Sequence, residues 1–269
     1  MHSVRDPSAV MSPSLLDAIT AHIRARLHES PQPAEIAAHF GLSRFALSRH
    51  FRAETGLSLR DYIAALKIEQ GIAPLVQGQP VIASQLEAGH ASAATYAHRF
   101  RAHTGQSPRD YRADAPGFSA VLRRELGDAR ARVLPYHGFD PAVHPQPHAL
   151  SVEVQGEGLG PLVFVGLFAE PIPRGVPVLG RALFHARRFV VERIPDGRYH
   201  LLGCEMRPSL NPLDFFRLDH CLRALHPEPI TFPLPAPQTL NLSFRPLQPS
   251  DPPITVNMPK LLFDYLRQS

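Results

Sequence analysis

The sequence predicts a multidomain protein of α and β structure, in which an all-α first part is followed by a mainly antiparallel β-sandwich. One segment in the first half of the chain occurs twice, in a setting typical of helices. Prolines are concentrated later, since residues 1–115 contain only 7 of the 29 prolines. Because proline removes a backbone N–H donor, we expect strands and loops to dominate the second part.

The duplicated segment is the most informative feature of the chain. Phe51–Tyr62 returns as Phe100–Tyr111, with 9 of 12 positions identical at an offset of 49. Two copies are too few for a solenoid, which needs three or more repeats to bury its stacked faces. The sequence therefore predicts a duplicated helical unit with two equivalent working surfaces.

Composition excludes several classes of protein. The net charge is +4, but residues 1–115 hold 12 basic and 10 acidic residues, so binding to a polyanion must be argued from placement rather than bulk charge. Cys204 and Cys221 are too few for a disulfide framework or a zinc cluster. The chain opens without a signal-like segment and contains no apolar run of about 18 residues. We expect a soluble, cytoplasmic protein without a membrane segment or a cofactor.

A first helix is predicted after Ser12 and Pro13, which supply an N-cap and a first-turn residue. Its apolar face recurs at three- and four-residue spacing. The members of this face are Leu16, Ile19, Ile23 and Leu27.

The next segment predicts a helix, a short turn and a second helix. Residues 33–40 form the first of these, Gly41 the turn, and Ser43 the N-cap of the second. Leu47 and Phe51 lie four residues apart and are expected to be buried. In a helix-turn-helix the opposite face enters the major groove of DNA, where arginine can bond both acceptors of guanine.

A second unit of the same kind precedes the second copy of the duplicated segment. A turn is predicted at Gly89 and a helix over Ser92–His103. A connecting helix over Leu59–Val76 is expected to join the two units, although Gly71 and Pro74 weaken its last turns.

A set of residues in both units matches the pattern of one known family. These residues are Ile36, Ala37, Gly41, Ser43, Leu47, Arg49, Phe51 and Gly56, then Gly89, Phe100, Gly105, Ser107, Pro108, Tyr111 and Arg112. By this pattern, residues 12–112 resemble the tandem helix-turn-helix DNA-binding domain of the AraC/XylS family of bacterial transcription regulators. The resemblance implies two recognition helices held by the connecting helix, which would enter successive major grooves of double-stranded DNA, about 34 Å apart.

By this resemblance the base-reading positions of the first recognition helix fall on Phe45, Ser48 and Arg49. Arg49 is expected to bind guanine through two hydrogen bonds, worth roughly 1 to 3 kcal/mol of discrimination. The alternative is a surface arginine paired with nearby acids, and Phe45 can either touch a thymine methyl or pack inward. The arginines expected to contact phosphate, which orients without specifying sequence, are Arg44, Arg52 and Arg101.

The second recognition helix departs from the family pattern. His98 stands where arginine is frequent, His90 where phenylalanine is usual, and Gln85 where a small alanine allows close packing. We therefore expect the first unit to supply most of the sequence discrimination, and the second mostly backbone affinity and tolerance of A·T pairs. The base-facing positions of the second helix are Ala93, Ala94, Thr95, Ala97 and His98.

Short apolar runs at regular spacing predict a sandwich of strands in the second part. The turn signal Pro195–Gly197 is predicted to join two of these runs as a hairpin. Ile194–Tyr199 resembles the turn of transthyretin-like and carboxypeptidase-regulatory-like β-sandwiches. The predicted strands are Leu162–Phe168, Phe189–Ile194, Tyr199–Met206, Ile230–Phe232 and Leu240–Phe244.

These patterns divide the chain into three parts. Residues 1–113 are the predicted tandem helix-turn-helix domain, residues 114–149 a linker with a short helix around Val121–Leu126, and residues 150–269 a β-sandwich that binds a signal or a partner. Within the sandwich, two further helices are expected over Leu210–Leu225 and Pro259–Arg267.

No catalytic set of nucleophile, base and orienting group can be assembled from the second part. His137, His144 and His148 make a metal site conceivable, but they lack regular ligand spacing, and a proline-rich linker explains them more simply. We therefore expect neither a metal nor an enzymatic activity.

The leading interpretation is a sequence-specific, DNA-binding transcription regulator. Its β-sandwich would respond to an unknown small-molecule effector or protein partner. One alternative is a sensory or interaction module whose second helix-turn-helix unit no longer reads DNA. Another is an enzyme fused to a DNA-binding unit, as in alkylation-repair proteins, but that activity needs an activated cysteine.

Overall fold

The computed structural model describes residues 12–268, and the first part of this range is helical. Seven α-helices of the described residues precede the first strand. They are α1 (Pro13–Ala25), α2 (Pro33–His39), α3 (Arg44–Thr55), α4 (Leu59–Val76), α5 (Val81–Glu87), α6 (Ala93–Thr104) and α7 (Pro108–Leu126).

The second part forms two sheets and ends in a helix. The larger sheet has the order β1-β4-β3-β6-β7, with β8 also paired to β6, and the smaller has the order β5-β2-β9. All pairs are antiparallel except β2 with β9. The elements are β1 (Arg132–His137), β2 (Pro145–Gln155), β3 (Leu162–Phe168), β4 (Leu179–Phe184), β5 (Arg188–Arg193), β6 (Gly197–Met206), β7 (Arg223–Leu225), β8 (Ile230–Phe232), β9 (Gln238–Ser243) and α8 (Met258–Gln268).

This architecture confirms the predicted class, and the duplicated sequence produces duplicated local structure. The Ser58 hydroxyl accepts a hydrogen bond from the Asp61 backbone N–H at 3.1 Å, and the equivalent Ser107 hydroxyl accepts one from Asp110 at 3.2 Å. Each serine thereby satisfies one of the N–H groups left open at a helix start.

The recognition helices also end in the same way. Gly56 after α3 and Gly105 after α6 have φ of 72° and 79°, a left-handed conformation that favours glycine. Their C-caps are therefore equivalent in geometry as well as in sequence.

The two helix-turn-helix units differ in what they pack against. The first unit is built around its own apolar cluster, which includes Ile36, Leu47 and Phe51 together with the buried face of α1. The second unit shares one continuous cluster with the outer face of the larger sheet and with α8. Aromatic side chains connect the two parts of the protein: the ring centres of Tyr111 in α7 and Phe216 in the second part lie 5.6 Å apart.

A separate apolar cluster fills the space between the two sheets. It takes alternate residues of β2 and β3, such as Val152 and Val163, and residues of β6 and β9, such as Leu201 and Leu242. Alternation of this kind is typical of two packed sheets. The larger sheet is thus covered on both faces, by the smaller sheet on one side and by helices on the other.

The predicted hairpin at Pro195–Gly197 is wrong. β5 pairs with β2 in the smaller sheet, whereas β6 pairs with β3, β7 and β8. The turn therefore carries the chain from one sheet to the other. A local turn signal marks the change of direction, but strand pairing depends on distant residues. The resemblance of this turn to transthyretin-like domains stays a prediction.

The helix predicted over Leu210–Leu225 is also wrong. This segment contains a single 3-10 turn over Pro212–Phe215 and then strand β7. Sequence analysis missed β1, β2, β4 and β7, although Leu150, Val152 and Val154 of β2 alternate with polar residues. The predicted terminal helix is confirmed as α8, and Leu262 packs into the shared cluster.

The boundaries of the three predicted parts fall inside regular elements. The boundary after residue 113 lies within α7, and the segment 114–149 includes β1 and the start of β2. Proline normally interrupts a helix, yet Pro116 lies inside α7, whose residues Phe118 and Leu122 are buried. The division of the chain into independent folding units stays a prediction.

One connection in the second part extends as far as the helices of the first. Residues 169–178, which we call the bridging loop, join β3 to β4 and reach the helical part. The Gly175 N–H donates to the carbonyl of His103 at 2.5 Å, and Ile172 is buried in the cluster of the first unit. Across residues 12–268, no helix is both long and apolar enough to cross a membrane.

Candidate nucleic-acid interface

The first recognition helix, α3, buries one face and exposes the other. Leu47 and Phe51 are fully buried, while Phe45, Ser48 and Arg49 are exposed. With 3.6 residues per turn, Phe45 and Arg49 lie one above the other on the side opposite the core. The structure thus brings the three proposed base-reading residues of this unit together on an exposed surface.

Phe45 does not pack inward. Its side chain is 78% exposed, and the Arg44 guanidinium lies 5.4 Å from the centre of its ring. A large exposed apolar side chain of this kind is informative because water does not favour it. Inward packing of Phe45 is therefore excluded, and contact of its ring with a thymine methyl stays a prediction. Arg52 is exposed on the same helix.

The second recognition helix, α6, has the same arrangement with different chemistry. Tyr96 and Phe100 are buried, and Ala94, Thr95 and His98 are exposed. At the repeat offset of 49, His98 is the counterpart of Arg49, and Ala94 is the counterpart of Phe45. Arg101, the counterpart of Arg52, is exposed as well. The second face therefore offers fewer hydrogen-bonding groups than the first.

The two faces belong to one helical framework. α4 packs against α3 of the first unit and against α5, α6 and α7. Gly71 of α4 is required for close packing, because a Cβ atom there would lie 2.8 Å from the Tyr96 hydroxyl oxygen. That hydroxyl also hydrogen-bonds Ser84 of α5. Gly71 has a low helix propensity, but it allows the second unit to pack closely against α4.

The turn of the second unit is adapted to its unusual residues. The Gln85 side-chain amide donates to the His90 carbonyl at 2.9 Å, and both side chains are buried. The turn glycines Gly41 and Gly89 are 48 residues apart, whereas the N-cap serines Ser43 and Ser92 are 49 apart. The second turn therefore contains one additional residue. The Gln85 side chain is thus satisfied by the turn itself, whereas the buried Nε2 atom of His90 has no hydrogen-bond partner among the described residues.

Sequence analysis missed a group of cations beside the second recognition helix. Arg60 and Lys67 of α4, His98 and Arg99 of α6, and Arg174 of the bridging loop line a cleft of about 640 Å³, which we call the basic groove. Asp61 is the one carboxylate among the described residues that line it. Only the presence of Lys67, the single lysine of the first half, could have drawn attention to it.

Two side chains in or beside the basic groove are affected by burial and by its positive charge. Desolvation, followed by repulsion from Arg99, lowers the pKa of Lys67. Its ammonium donates to the Ser30 hydroxyl at 2.7 Å. Burial, together with Arg99 and Lys67, lowers the pKa of His90. Such a surface favours the binding of a polyanion, because an approaching anion offsets the electrostatic repulsion between neighbouring cations.

The remaining candidate sites do not assemble. His137, His144 and His148 are not part of any group of three or more metal-ligating side chains within the described range. Cys204 and Cys221 are both buried free thiols, and burial raises the pKa of Cys204 to about 12 and that of Cys221 above its usual value. Neither thiol is an activated nucleophile, because reactivity requires the thiolate.

The fold and exposed faces of the first part define the class of tandem helix-turn-helix domains. Residues 36–114 match the family model described as a helix-turn-helix domain. These residues form a helix-turn-helix domain, and the two sheets come after it.

Similar proteins include an uncharacterised HTH-type transcriptional regulator of Staphylococcus aureus strain COL, 25% identical over 127 residues. That match covers 47% of this chain but 17% of the relative's length. A second such regulator, from strain MSSA476, is 25% identical over 112 residues, covering 41% of this chain and 15% of the relative. The chain thus spans under a fifth of these curated relatives.

Two solved structures similar to this chain are regulators by description. A transcriptional regulator from Chromobacterium violaceum with an AraC-type DNA-binding domain is 25% identical, with a TM-score of 0.35, and the match covers 37% of this chain and 89% of that one. A DNA-binding transcriptional dual regulator from Escherichia coli K-12 is 18% identical, with a TM-score of 0.36, over 41% of this chain and 99% of that one.

Proposed function

We propose that this chain is a sequence-specific, DNA-binding transcription regulator whose two recognition helices enter adjacent major grooves on one side of a duplex. The observation that supports this most directly is the pair of exposed faces on α3 and α6, built from equivalent positions of the duplicated sequence. The match of residues 36–114 to a helix-turn-helix domain model supports it independently.

The two helices have different roles in this proposal. Arg49, with Phe45 and Ser48, reads bases, because a guanidinium can bond two acceptors of guanine and an exposed ring can contact a thymine methyl. Ala94, Thr95 and His98 contribute a weaker reading of bases. The exposed Arg44, Arg52 and Arg101 bind phosphate and fix the register.

The basic groove extends the phosphate-binding surface beside α6. His98 belongs both to the proposed reading face and to the lining of the groove. A phosphate of the backbone that flanks the second major groove would therefore meet Arg60, Lys67 and Arg99. These cations add affinity for the DNA backbone, which compensates for the small number of base contacts that the second helix can make.

The second part of the chain is the proposed sensor or partner-binding part. The alternative function, a sensory or interaction module whose second unit no longer reads DNA, is favoured by the alanine-rich face of α6. The two functions differ in one measurable property, which is whether the protein selects a defined sequence.

The test is selection of bound sequences from a random duplex pool at two salt concentrations. We expect a motif whose half-elements lie about 10 base pairs apart. The affinity should fall steeply with salt, with a logarithmic slope of about −0.9 per neutralised phosphate. Arg193→Ala is the matched control, because Arg193 is an exposed arginine of β5, in the second part of the chain.

Each function has a distinct outcome. A selected motif that Arg193→Ala preserves supports the regulator. A pool that stays random contradicts it and favours the interaction module. Chemical alteration of the bound DNA would contradict both and indicate an enzyme.

A further inference from the structure

The two helix-turn-helix units have separate apolar cores, which α4 connects. Phe51 of α3 packs in one cluster, and its counterpart Phe100 of α6 packs in another. α4 contributes to both clusters, with Leu66 in the first and Ile68 in the second. Because helices of this length commonly bend, a connection through α4 alone would leave the relative position of α3 and α6 adjustable.

The bridging loop contacts equivalent positions of both recognition helices. Pro171 lies against Gly56, the C-cap of α3, and Val176 lies against Gly105, the C-cap of α6. The chain from Pro171 to Val176 can span at most roughly 18 Å, even when fully extended. The loop therefore limits how far apart the two C-caps can lie.

Both ends of this contact are anchored. Ile172 is buried in the apolar cluster of the first unit. The Gly175 N–H donates a hydrogen bond to the carbonyl of His103, in the last turn of α6, at 2.5 Å. Three of the ten residues of the loop are prolines, whose rings fix the backbone angle φ. The bridging loop is thus a short, stiff connection between the two recognition helices.

A second segment of the second part supports the same contact. Residues 244–257, which we call the terminal loop, run from β9 to α8. Toward the first unit, the Pro249 carbonyl accepts a hydrogen bond from the hydroxyl of Tyr62 in α4 at 3.0 Å. Toward the bridging loop, the N–H groups of Thr255 and Val256 donate to the Pro173 carbonyl at 3.0 Å each. The terminal loop therefore holds the bridging loop in place.

The two copies of the duplicated segment differ at three of twelve positions. Two of these are His103 and Gln106 in the second copy, where the first copy has Glu54 and Leu57. Glu54 is exposed, and Leu57 is buried in the apolar cluster of the first unit. His103 and Gln106 are both buried, and buried polar side chains are normally hydrogen-bonded.

The terminal loop provides hydrogen-bond partners for both residues. The Nδ1 atom of His103 lies 3.2 Å from the hydroxyl oxygen of Thr255. The side-chain amide of Asn257 donates to the Oε1 atom of Gln106 at 2.8 Å. Thr255 and Asn257 are buried as well. The second copy therefore differs from the first at two of the positions that contact the second part of the chain.

We infer that the second part of the chain is a brace, which holds α3 and α6 in one fixed relative position through the bridging loop and the terminal loop, and thereby sets the spacing of the DNA half-elements. Ile172 is the positioning residue toward the first unit, and Gln106 is the one on the second unit. The spacing on DNA rests on the proposed function. The fixed relative position does not, because it follows from contacts within the chain.

The relative position of the two helices can be measured without DNA. Ser48→Cys and Ala97→Cys place spin labels at equivalent, exposed positions of α3 and α6. The native Cys204 and Cys221 are buried free thiols, so the label reacts with the introduced cysteines. We expect double electron–electron resonance on the full-length protein to give one narrow distance distribution. A broad distribution in this parent would overturn the inference.

Ile172→Ala removes the anchor toward the first unit. It should broaden the distance distribution about twofold or more, because other arrangements of the two units become populated. Ile172→Val keeps most of the contact and should keep the distribution narrow. Ile194→Ala is the matched control, since Ile194 is fully buried between the two sheets. It makes the same change in the core of the second part and should leave the distribution unchanged.

Gln106→Leu tests the other end of the brace. It introduces the residue that the first copy has at this position and removes the acceptor for Asn257. The distribution should broaden, although no apolar anchor is changed, so this variant also serves if Ile172→Ala does not fold. Broadening in either variant, with a native circular-dichroism spectrum, supports the brace. If both variants keep the native spectrum and the narrow distribution, α4 alone positions the helices and the inference is wrong.

The spacing on DNA is tested with the unlabelled proteins. One base pair inserted between the half-elements moves one of them by about 3.4 Å along the duplex. The affinity of the parent protein should then fall about tenfold or more, because rigidly held helices cannot engage both half-elements. Ile172→Ala should lose only about threefold, and Ile194→Ala should lose as much as the parent.

The outcomes separate this inference from the proposed function. If the distance distributions behave as expected but no DNA motif is selected, the proposed function is wrong and the brace is supported. If a motif is selected while neither variant broadens the distribution, the brace is wrong and the proposed function is supported. If the distribution broadens but the inserted base pair weakens Ile172→Ala and the parent equally, the brace does not set the spacing on DNA.

Discussion

Arg49 and His98 occupy equivalent positions of two equivalent helices, yet they differ in what they can recognise. A guanidinium presents a fixed fork of donors that matches the two acceptors of guanine. An imidazole offers a single donor or acceptor on each nitrogen. The two reading faces share a backbone geometry, so their side chains alone set the difference in specificity.

The first prediction concerns these two residues. Arg49→Ala should alter the selected sequence in the half-element bound by α3 and reduce discrimination by about 1 to 3 kcal/mol. His98→Ala should leave the sequence preference largely intact and weaken binding to all sequences alike. Both effects can be measured by repeating the selection and by titrating single base-pair variants of the motif.

The comparison is controlled by Arg52→Ala, which removes a proposed phosphate contact from the same helix. That variant should lower the salt dependence of binding without changing the motif. An unchanged preference in Arg49→Ala combined with an altered preference in His98→Ala would reverse the proposed roles of the two helices.

His103 gives a residue-scale prediction about stability. Desolvation is the largest effect and the nearby Arg174 the next, and together they lower the pKa of this buried histidine to about 4. The folded protein therefore binds fewer protons than the unfolded chain as pH falls below about 6.5. Its contribution is present above that pH and is lost as pH falls toward 4.

We expect the free energy of unfolding to lose about 2 kcal/mol through His103 between about pH 7 and about pH 5. His103→Asn should remove this share of the pH dependence while keeping a polar group for Thr255. Urea unfolding at several pH values measures it. Other histidines with lowered pKa values, such as His90 and His137, contribute in the same direction. The quantity to compare is therefore the slope of the unfolding free energy against pH, in the parent protein and in His103→Asn.

His98→Asn makes the same substitution at an exposed position and serves as the control. It should leave the pH dependence of stability unchanged. If His103→Asn and the parent protein lose the same free energy of unfolding on acidification, then His103 does not contribute the expected pH dependence.

At the scale of elements, the bridging loop interacts differently with the two recognition helices. Gly56 and Gly105 are equivalent C-caps with similar positive φ. A Cβ at Gly56 would lie 2.7 Å from the Pro171 Cγ, whereas one at Gly105 would lie 3.6 Å from the Val176 Cγ2. The first distance is a clash and the second is ordinary contact.

This difference predicts unequal effects of the same substitution. Gly56→Ala and Gly105→Ala should each cost about 1 to 2 kcal/mol, because alanine disfavours a left-handed conformation. Gly56→Ala should cost roughly 1 kcal/mol more, since the rigid proline ring must move. Denaturant unfolding of the two variants measures the difference.

Pro171→Ala tests whether the loop is the cause. It removes the clashing Cγ atom and leaves a Cβ at 3.5 Å, an ordinary contact. The additional cost of Gly56→Ala should disappear in the double variant. Equal costs at Gly56 and Gly105 in the parent background would show that the loop is not held against α3.

At the scale of the whole molecule, one apolar cluster unites the second helix-turn-helix unit with the sheet and α8. It includes Phe100 of α6, Phe118 of α7, Cys204 of β6 and Leu262 of α8. The second unit therefore cannot lose its packing partners without exposing apolar surface, which costs about 25 cal/mol per Å².

We expect the second unit and the sheet to unfold together. Far-ultraviolet circular dichroism and tyrosine fluorescence should report one coincident transition in urea. A fragment ending at residue 113 should lack this cooperativity, because it cuts α7 and removes the sheet. Two well-separated transitions in the full-length chain would contradict the shared core.

Local chemistry explains how much could be predicted from the sequence. The predictions of α1, α2, α3, α4 and α6 were confirmed, because serine caps, glycine turns and apolar stripes act within a few residues. The strands β3 and β8 were identified for the same reason. α5 was not predicted, and the short helix expected around Val121–Leu126 is the end of the much longer α7. The candidate reading positions were found to be exposed, and their roles in binding DNA stay predictions.

Long-range contacts explain what the sequence did not show. The partners of β5 and β6 are set by strands far away in the chain, so the turn at Pro195–Gly197 could be recognised but its sheet assignment could not. The basic groove combines α4, α6 and the bridging loop, and no spacing rule brings Lys67 and Arg174 together. α7 persists through Pro116 because burial of Phe118 and Leu122 compensates for the lost hydrogen bond.

The sequence by itself determined that this chain repeats one helix-turn-helix unit and that strands come after it, because capping, turn formation and helix amphipathicity are encoded within single segments. Only the tertiary structure decided that the second unit shares its core with the sheet, and that one loop reaches the ends of both recognition helices. Such contacts join residues far apart in sequence, and their formation depends on how complete elements pack against each other.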